Sequence, residues 1–288
     1  MQTVSDKKFA AFILSHQRPG KVVTAKTLRA SGYTGDIYIL LDSEDETAGQ
    51  YVAEFGKESI IIFDKADQSF DIGDSQQHRR GVIYARNASF QVAKDLGLDY
   101  FLQLDDDYNR FEYRYPSEGV LKTVVVKQLD QVFDAMLDFL DDTKASTVAF
   151  AQGGDFIGGA NGGAFKKMVL RKAMNSFFFC TDRPVEFVGR INEDVNTYVV
   201  NGTRGQLFLT PTMIDLVQTQ TQASSGGMTS LYTDSGTYLK SMYSVMMAPS
   251  CVSISPMGPS NPRLHHKIRA ENAYPKIISE KHCKLVKP

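Results

Sequence analysis

The first hundred residues alternate between two hydrophobic rhythms. "KFAAFILSH" (8–16), "DIYILLD" (36–42), "SIIIFD" (59–64) and "DYFLQLD" (99–105) are short, almost continuous apolar runs. Runs of this length predict strands buried on both faces of a sheet. Between them, "PGKVVTAKTLRASG" (19–32), "DETAGQYVAEFG" (45–56) and "RRGVIYARNASFQVAKDLG" (79–97) predict helices. Pro19 suits a helix start, and Gly32, Gly56 and Gly97 suit positions just past helix ends. The alternation predicts an α/β fold: a Rossmann-like, mainly parallel central sheet with helices on both faces. Such sheets bind ligands beyond the carboxyl ends of their strands, where Ser15, Asp42, Asp64 and Asp105 fall.

The second half is less regular. "QLDQVFDAMLDFLDD" (128–142) predicts an amphipathic helix, with Leu129, Val132, Phe133, Met136, Leu137 and Leu140 as its apolar stripe. "STVAFAQ" (146–152) reads as a strand running into the glycine-rich "GGDFIGGANGGAF" (153–165). That loop suits either a backbone cradle for a sugar or phosphate, or a flexible surface loop. "VEFVGRINEDVNTYVVNG" (185–202) reads as a strand with an acidic turn, and "GQLFLTPTMIDLVQ" (205–218) as a further strand or hairpin. The polar "TQTQASSGGMTS" (219–230) is the candidate mobile loop. No linker divides the chain, so residues 1–288 form one expected domain.

Composition narrows the function classes. A net charge of -1 gives no global attraction to nucleic acid or anionic membrane. Cys180, Cys251 and Cys283 are scattered and odd in number, which suits reduced thiols in a cytoplasmic protein. The N-terminus has no signal-peptide pattern, and no apolar run reaches the ~18 residues of a membrane span, so no membrane partner is expected.

The chemistry concentrates in "FLQLDDDYNRF" (101–111). Three adjacent carboxylates at a strand end repel one another unless water or a cation absorbs the charge. Asp105 and Asp107, spaced i, i+2, can share Mg²⁺ or Mn²⁺, hard cations that prefer oxygen and bridge to phosphates. Neither the dinucleotide fingerprint nor a P-loop is present. Arg18, Arg79, Arg80 and Arg86 are then the cations available to phosphate oxygens. Glu193 and Asp194 form a second acidic pair: either a general base beside the metal, or a helix N-terminus with Asn192 as cap. His265 and His266 are a candidate completion of a metal shell or ordinary packed histidines. Arg263–Lys287 carries seven Lys/Arg against two Glu, a basic tail.

Taken in order, these pieces resemble a GT-A glycosyltransferase. They are the opening strand with Ser15 and Arg18, "IYILLDSEDE", "ARNASFQVAKDLGLDYFLQLDDD", "INEDVNTY" and the late "HHK". "DDDYNRFEYR", "GGANGG" and "ENAYPKI" more narrowly resemble the TET-associated glycosyltransferases, found mainly in bacteriophages. The resemblance implies transfer of a sugar from a nucleotide-sugar donor, a UDP-sugar being expected, to 5-hydroxymethylpyrimidines in DNA, with 5-hydroxymethylcytosine the favoured base. It implies a GT-A domain with a nucleotide-sugar-binding half (1–110) and an acceptor half (111–288). Ser15, Arg18 and Asp42 would hold the nucleoside, and Arg86 would approach the diphosphate. Asp105 and Asp106 would line the donor site, while Asp107, with Asp105, would ligate Mn²⁺ or Mg²⁺. Asp194 would be the base, with Glu193 beside it contacting acceptor or donor, and His265 or His266 would complete the metal site. The expected location is the cytoplasm, that of an infected bacterium if the chain is phage-encoded. The competing readings are a GT-A enzyme with a protein or polysaccharide acceptor, and a non-catalytic binder of nucleotide sugars or modified DNA.

Overall fold

The six residues of β1 (Phe9–Leu14) are all buried, and they split between two cores. Phe9, Ala11 and Ile13 face one cluster, and Ala10, Phe12 and Leu14 the other. This is what period-2 side-chain alternation does in a sheet covered on both faces. The computed structural model describes residues 7–65, 81–218, 229–257 and 263–277.

From β1 the chain runs through α1 (Val23–Ala30), β2 (Asp36–Asp42), α2 (Ala48–Phe55), β3 (Ile60–Phe63), α3 (Ile83–Asp95) and β4 (Tyr100–Asp105). Gly56 and Gly97 follow α2 and α3 with positive φ of 84° and 66°, as the sequence led one to expect. A hairpin, β5 (Tyr108–Ser117) and β6 (Val120–Val125), precedes α4 (Leu129–Thr143). All six stripe residues of α4 are buried. Then come β7 (Thr147–Val148), β8 (Val169–Leu170), β9 (Phe177–Cys180), α5 (Glu193–Thr203), β10 (Phe208–Pro211) and β11 (Ile214–Gln218). α6 (Thr229–Met247), β12 (Val252–Met257), β13 (Arg263–Ile268) and α7 (Ala270–Ala273) complete the chain.

The main sheet has the order β3-β2-β1-β4-β9-β7-β10-β8. β3, β2, β1 and β4 are mutually parallel. The chain steps outward from β1 to β3, then returns to the other side of β1 as β4. That reversal is a topological switch point, and it opens a crevice beyond the carboxyl ends of β1 and β4. Leu14 pairs with Asp105 there, so Ser15 and the aspartate run meet at its mouth.

Several expectations are corrected. Residues 185–202 hold no strand: Val195, Tyr198 and Val199 recur at i, i+3 and i+4, and all are buried in α5. "GQLFLTPTMIDLVQ" is not a hairpin, because β10 joins the main sheet while β11 pairs with β5 in a second, three-stranded sheet. Only Thr147–Val148 of "STVAFAQ" is strand. The β5–β6 hairpin was missed; its turn, Glu118–Gly119, has φ of 52° and 77°, the left-handed pair that tight hairpins favour. Of the candidate mobile loop, 219–228 lies outside the described residues, and Thr229 and Ser230 begin a helix. Arg79, Arg80, Cys283 and the tail beyond Ile277 also lie outside them.

Candidate active site

The aspartate run resolves into two sides. Asp106 is 1% exposed and turns inward. Its carboxylate accepts from Ser15 Oγ at 2.6 Å and pairs with Arg18 Nη2 at 2.9 Å. Ser15 Oγ also bonds the Tyr51 hydroxyl at 2.8 Å, and Tyr51 accepts from the Arg18 backbone N–H. Asp106 is therefore a staple between β1 and β4, not a surface that a donor reaches, which corrects the expectation for it. Asp105 and Asp107, each one residue away, are both partly exposed. The fold thus consumes the middle carboxylate and leaves Asp105 and Asp107 as the two partly exposed ones.

Arg86 is the second correction. It is fully buried, with its guanidinium 4.8 Å from the Phe177 ring centre and 5.6 Å from that of Phe187. Nη2 donates to Asp105 Oδ1 and Nε to Glu193 Oε1, both at 3.0 Å. A guanidinium so enclosed does not present a fork to a diphosphate. Instead it ties the end of β4 to the first turn of α5, where its partner Glu193 lies 107 residues on in sequence from Arg86 itself. Burial pushes the Asp105 carboxyl up to about 7; Arg86 opposes the rise, and Asp107, Glu193 and Asp106 add to it.

Asn192 precedes α5 in the left-handed region, at φ 61°. Its side chain makes no capping bond, against expectation; Nδ2 donates to Ser244 Oγ at 2.7 Å and lies 3.3 Å from His266 Nδ1. Asp194 is buried in the first helical turn and accepts from the Val195 N–H at 2.7 Å. A carboxylate there is stabilised by the helix dipole. Burial first, then the neighbouring charges of Asp105, Asp107 and Asp194 among others, push the Tyr108 hydroxyl well above its ordinary range. One buried tyrosine thus senses carboxylates from both acidic pairs. Asp107 Oδ1 accepts from Gln218 Nε2 at 2.9 Å, so the end of β11 holds it.

Asp42, at the end of β2, pairs with His16 Nδ1 at 2.7 Å and Lys65 Nζ at 2.9 Å. Burial raises its pKa, but hydrogen bonds from His16 and Lys65 outweigh that and hold it at about 2. A depressed carboxylate stabilises the fold above pH ~4, and this contribution disappears as pH falls towards 2. The shift corresponds to roughly 2 kcal/mol. Asp42→Asn should therefore flatten the fall of the urea midpoint between pH 4 and 2. A variant that loses stability there as steeply as the wild type contradicts the pairing.

The histidines sit elsewhere than expected. His265 Nδ1 bonds the His266 carbonyl at 2.7 Å. Burial, then His265 and Lys240, pushes the His266 ring down to about 3, so it is neutral near pH 7. Their strand docks against α6 beside Asn192, and neither joins Asp105 and Asp107 in a metal-ligating cluster; among the described residues no three His, Cys, Asp or Glu side chains form one. The fit to a divalent cation rests on Asp105 and Asp107. Their oxygens, with the surplus of carboxylate over cation at this edge, suit Mg²⁺ or Mn²⁺, which commonly take one or two carboxylates and complete the shell with substrate phosphates and water. Tyr51, Lys65, Tyr108 and Gln218 were missed from sequence, and no local pattern marks them; His16 was passed over although it adjoins Ser15.

The class of protein follows from a family match: the chain is a glycosyltransferase. The matching model, over residues 9–227, is that of the TET-Associated Glycosyltransferase family, and the chain belongs to that family. No curated protein sequence matches the chain. Among solved structures it is similar to the mannosyltransferase PcManGT from Pyrobaculum calidifontis in complex with GDP-Man and Mn²⁺, at 12% identity and a TM-score of 0.48, over 76% of this chain and 58% of that one. The chain thus spans just over half the length of that mannosyltransferase. It is also similar to glucosyl-3-phosphoglycerate synthase from Mycobacterium tuberculosis in complex with Mn²⁺, UDP and phosphoglyceric acid, at 9% identity and a TM-score of 0.45, over 92% and 88% of the two chains. No helix among the described residues is long and apolar enough to cross a membrane.

Proposed function

We propose that this chain moves a sugar from a nucleotide-sugar donor, a UDP-sugar, to the hydroxymethyl group of a 5-hydroxymethylpyrimidine in DNA, with 5-hydroxymethylcytosine the favoured base. One observation carries the reading. At the switch-point edge Asp105 and Asp107 are both partly exposed, and Arg86, bonded to both Asp105 and Glu193, holds the first turn of α5, which carries Asp194, beside them. Family membership supports DNA as the acceptor.

Residues 1–110 then form the donor half. The nucleoside lies along the ends of β1 and β2, beside the His16–Asp42–Lys65 cluster, and Arg18, partly exposed, flanks the sugar phosphates. Asp107, with the second oxygen of Asp105, holds the divalent cation. When bound, that cation supplies Lewis-acid stabilisation of the leaving diphosphate. Asp194 takes the proton of the acceptor hydroxyl as that oxygen attacks the anomeric carbon. Arg86 and Glu193 fix the two reacting carboxylates relative to each other and do not touch substrate.

A thermal-shift series tests the donor half, because a ligand that binds only the folded state raises its melting temperature. UDP-sugars with Mn²⁺ should raise it by several degrees, and Asp107→Asn should lose the Mn²⁺-dependent part. An equal shift with and without Mn²⁺ in the wild type contradicts the metal assignment.

A further inference from the structure

The glycine-rich segment after β7 is neither a floppy loop nor a bare cradle. β9 is antiparallel to both β4 and β7, so β7 runs with β4 and its carboxyl end opens on the same sheet edge as Asp105. Two strand spacings, ~10 Å, separate those ends. Two hydrogen bonds join the loop's root to the site. Asn175 Nδ2 donates to Gln152 Oε1 at 3.2 Å, and the hydroxyl of Tyr108, the residue after Asp107, donates to the Asn175 carbonyl at 2.7 Å. Three short 3₁₀ turns (Gly153–Phe156, Gly159–Asn161 and Phe165–Lys167) then carry the chain across.

This loop is anchored so that one side chain projects. Asp155 pairs with Lys172, and the Phe156 ring lies 4.7 Å from the Arg114 guanidinium. Between these anchors and the next turn, Ile157 is 75% exposed. Its carbonyl would lie 2.4 Å from a Cβ at Gly162, and Gly158 has φ 90°, so glycines are required for the turn that displays it. Beyond the turn, Met168 and Val169 are also exposed, and Met213 stands beside them because the Thr212 N–H bonds the Met168 carbonyl. Lys166, Lys167 and Arg171 border this apolar ridge, are exposed, and make no ion pair among the described residues. From Phe156 to Arg171 the chain has no acidic residue. In a protein of net charge -1, three unpaired cations beside an apolar ridge at the ligand edge are a local anomaly.

We propose that this ridge is the surface on which the acceptor duplex docks, with Lys166, Lys167 and Arg171 on its phosphates and Ile157 as a wedge that helps open the stack around the target base. The inference rests on the reading of DNA as acceptor. Phosphate contacts supply sequence-independent affinity, and apolar side chains that enter base steps unstack them. A target base must leave the stack before its hydroxymethyl group reaches a carboxylate.

The test uses the full chain and an unmodified fluorescent duplex, with anisotropy read from 50 to 200 mM salt. Replacing Lys166, Lys167 and Arg171 together by alanine should lower the slope of log affinity against log salt by about 2.7. Donor hydrolysis without acceptor should stay unchanged, because none of the three lies in the donor site. Ile157→Ser should leave that slope intact, but reduce transfer to duplex about tenfold more than transfer to the single strand of the same sequence. A triple variant with the wild-type slope overturns the surface. So does a wild type that fails to bind duplex, including one retained only by an anionic polysaccharide. Wild-type binding without transfer to any hydroxymethylated DNA overturns the acceptor reading instead, and the slope still decides the surface.

Discussion

Asp194→Asn should lower the transfer rate by about 10³-fold, while Glu193→Gln stays within about tenfold of wild type. The two acids are neighbours in one helical turn, yet their surroundings separate them. Glu193 Oε1 accepts from Arg86 Nε at 3.0 Å, and a glutamine carbonyl can accept the same bond. Asp194 makes no ion pair with a described residue and accepts from the Val195 N–H, a bond an asparagine carbonyl can also accept. The substitution at 194 thus preserves shape and removes the negative charge, and with it the capacity to take a proton. Donor affinity, read by calorimetry, should change less than threefold, so the loss falls on kcat. The reverse sensitivity, with Glu193→Gln inactive and Asp194→Asn active, would exchange the two roles.

The second large effect is on stability. Arg86→Met should destabilise the fold by about 3–5 kcal/mol, because it leaves Asp105 and Glu193 facing a common buried site with no cation. For a chain of this size that lowers the melting temperature by roughly 10 °C. Methionine fills much of the space against Phe177 and Phe187, so lost packing accounts for little of it. Adding Glu193→Gln to Arg86→Met removes one uncompensated charge and should recover a large part of the loss. Calorimetry near neutral pH reads both variants. A single variant that melts within about 2 °C of wild type means the guanidinium is not the clamp its distances indicate.

The same residues explain what the sequence made legible. β1 to β4 and their helices could be read because burial on both faces leaves short apolar runs, and helix periodicity between them is unambiguous. The α4 stripe was readable residue by residue for the same reason. The start of α5 was legible in Glu193 and Asp194, which fall in its first turn, but its body was misread because the buried triad, Val195, Tyr198 and Val199, is preceded by apolar residues of an irregular segment, which together mimic a strand. The i, i+2 spacing singled out Asp105 and Asp107, but the bonding of Asp106 was illegible because it depends on which carboxylate the Ser15 and Arg18 side chains reach, a tertiary fact. Arg86 could be singled out as a cation, but its partner Glu193 is too distant in sequence for any motif to join them. Lys65 and Gln218 act through long-range contacts with Asp42 and Asp107, and a lone Lys or Gln at a strand end carries no signal.

The most direct test of the central claim is the mass of the nucleosides released from DNA after reaction. A duplex containing 5-hydroxymethylcytosine, incubated with the wild-type chain, Mn²⁺ and a panel of nucleotide sugars, should yield a nucleoside heavier by one sugar residue. That product should disappear with Asp194→Asn and with unmodified cytosine. No mass gain with any donor on hydroxymethylated cytosine or uracil, alongside transfer to a protein or polysaccharide, would contradict the account.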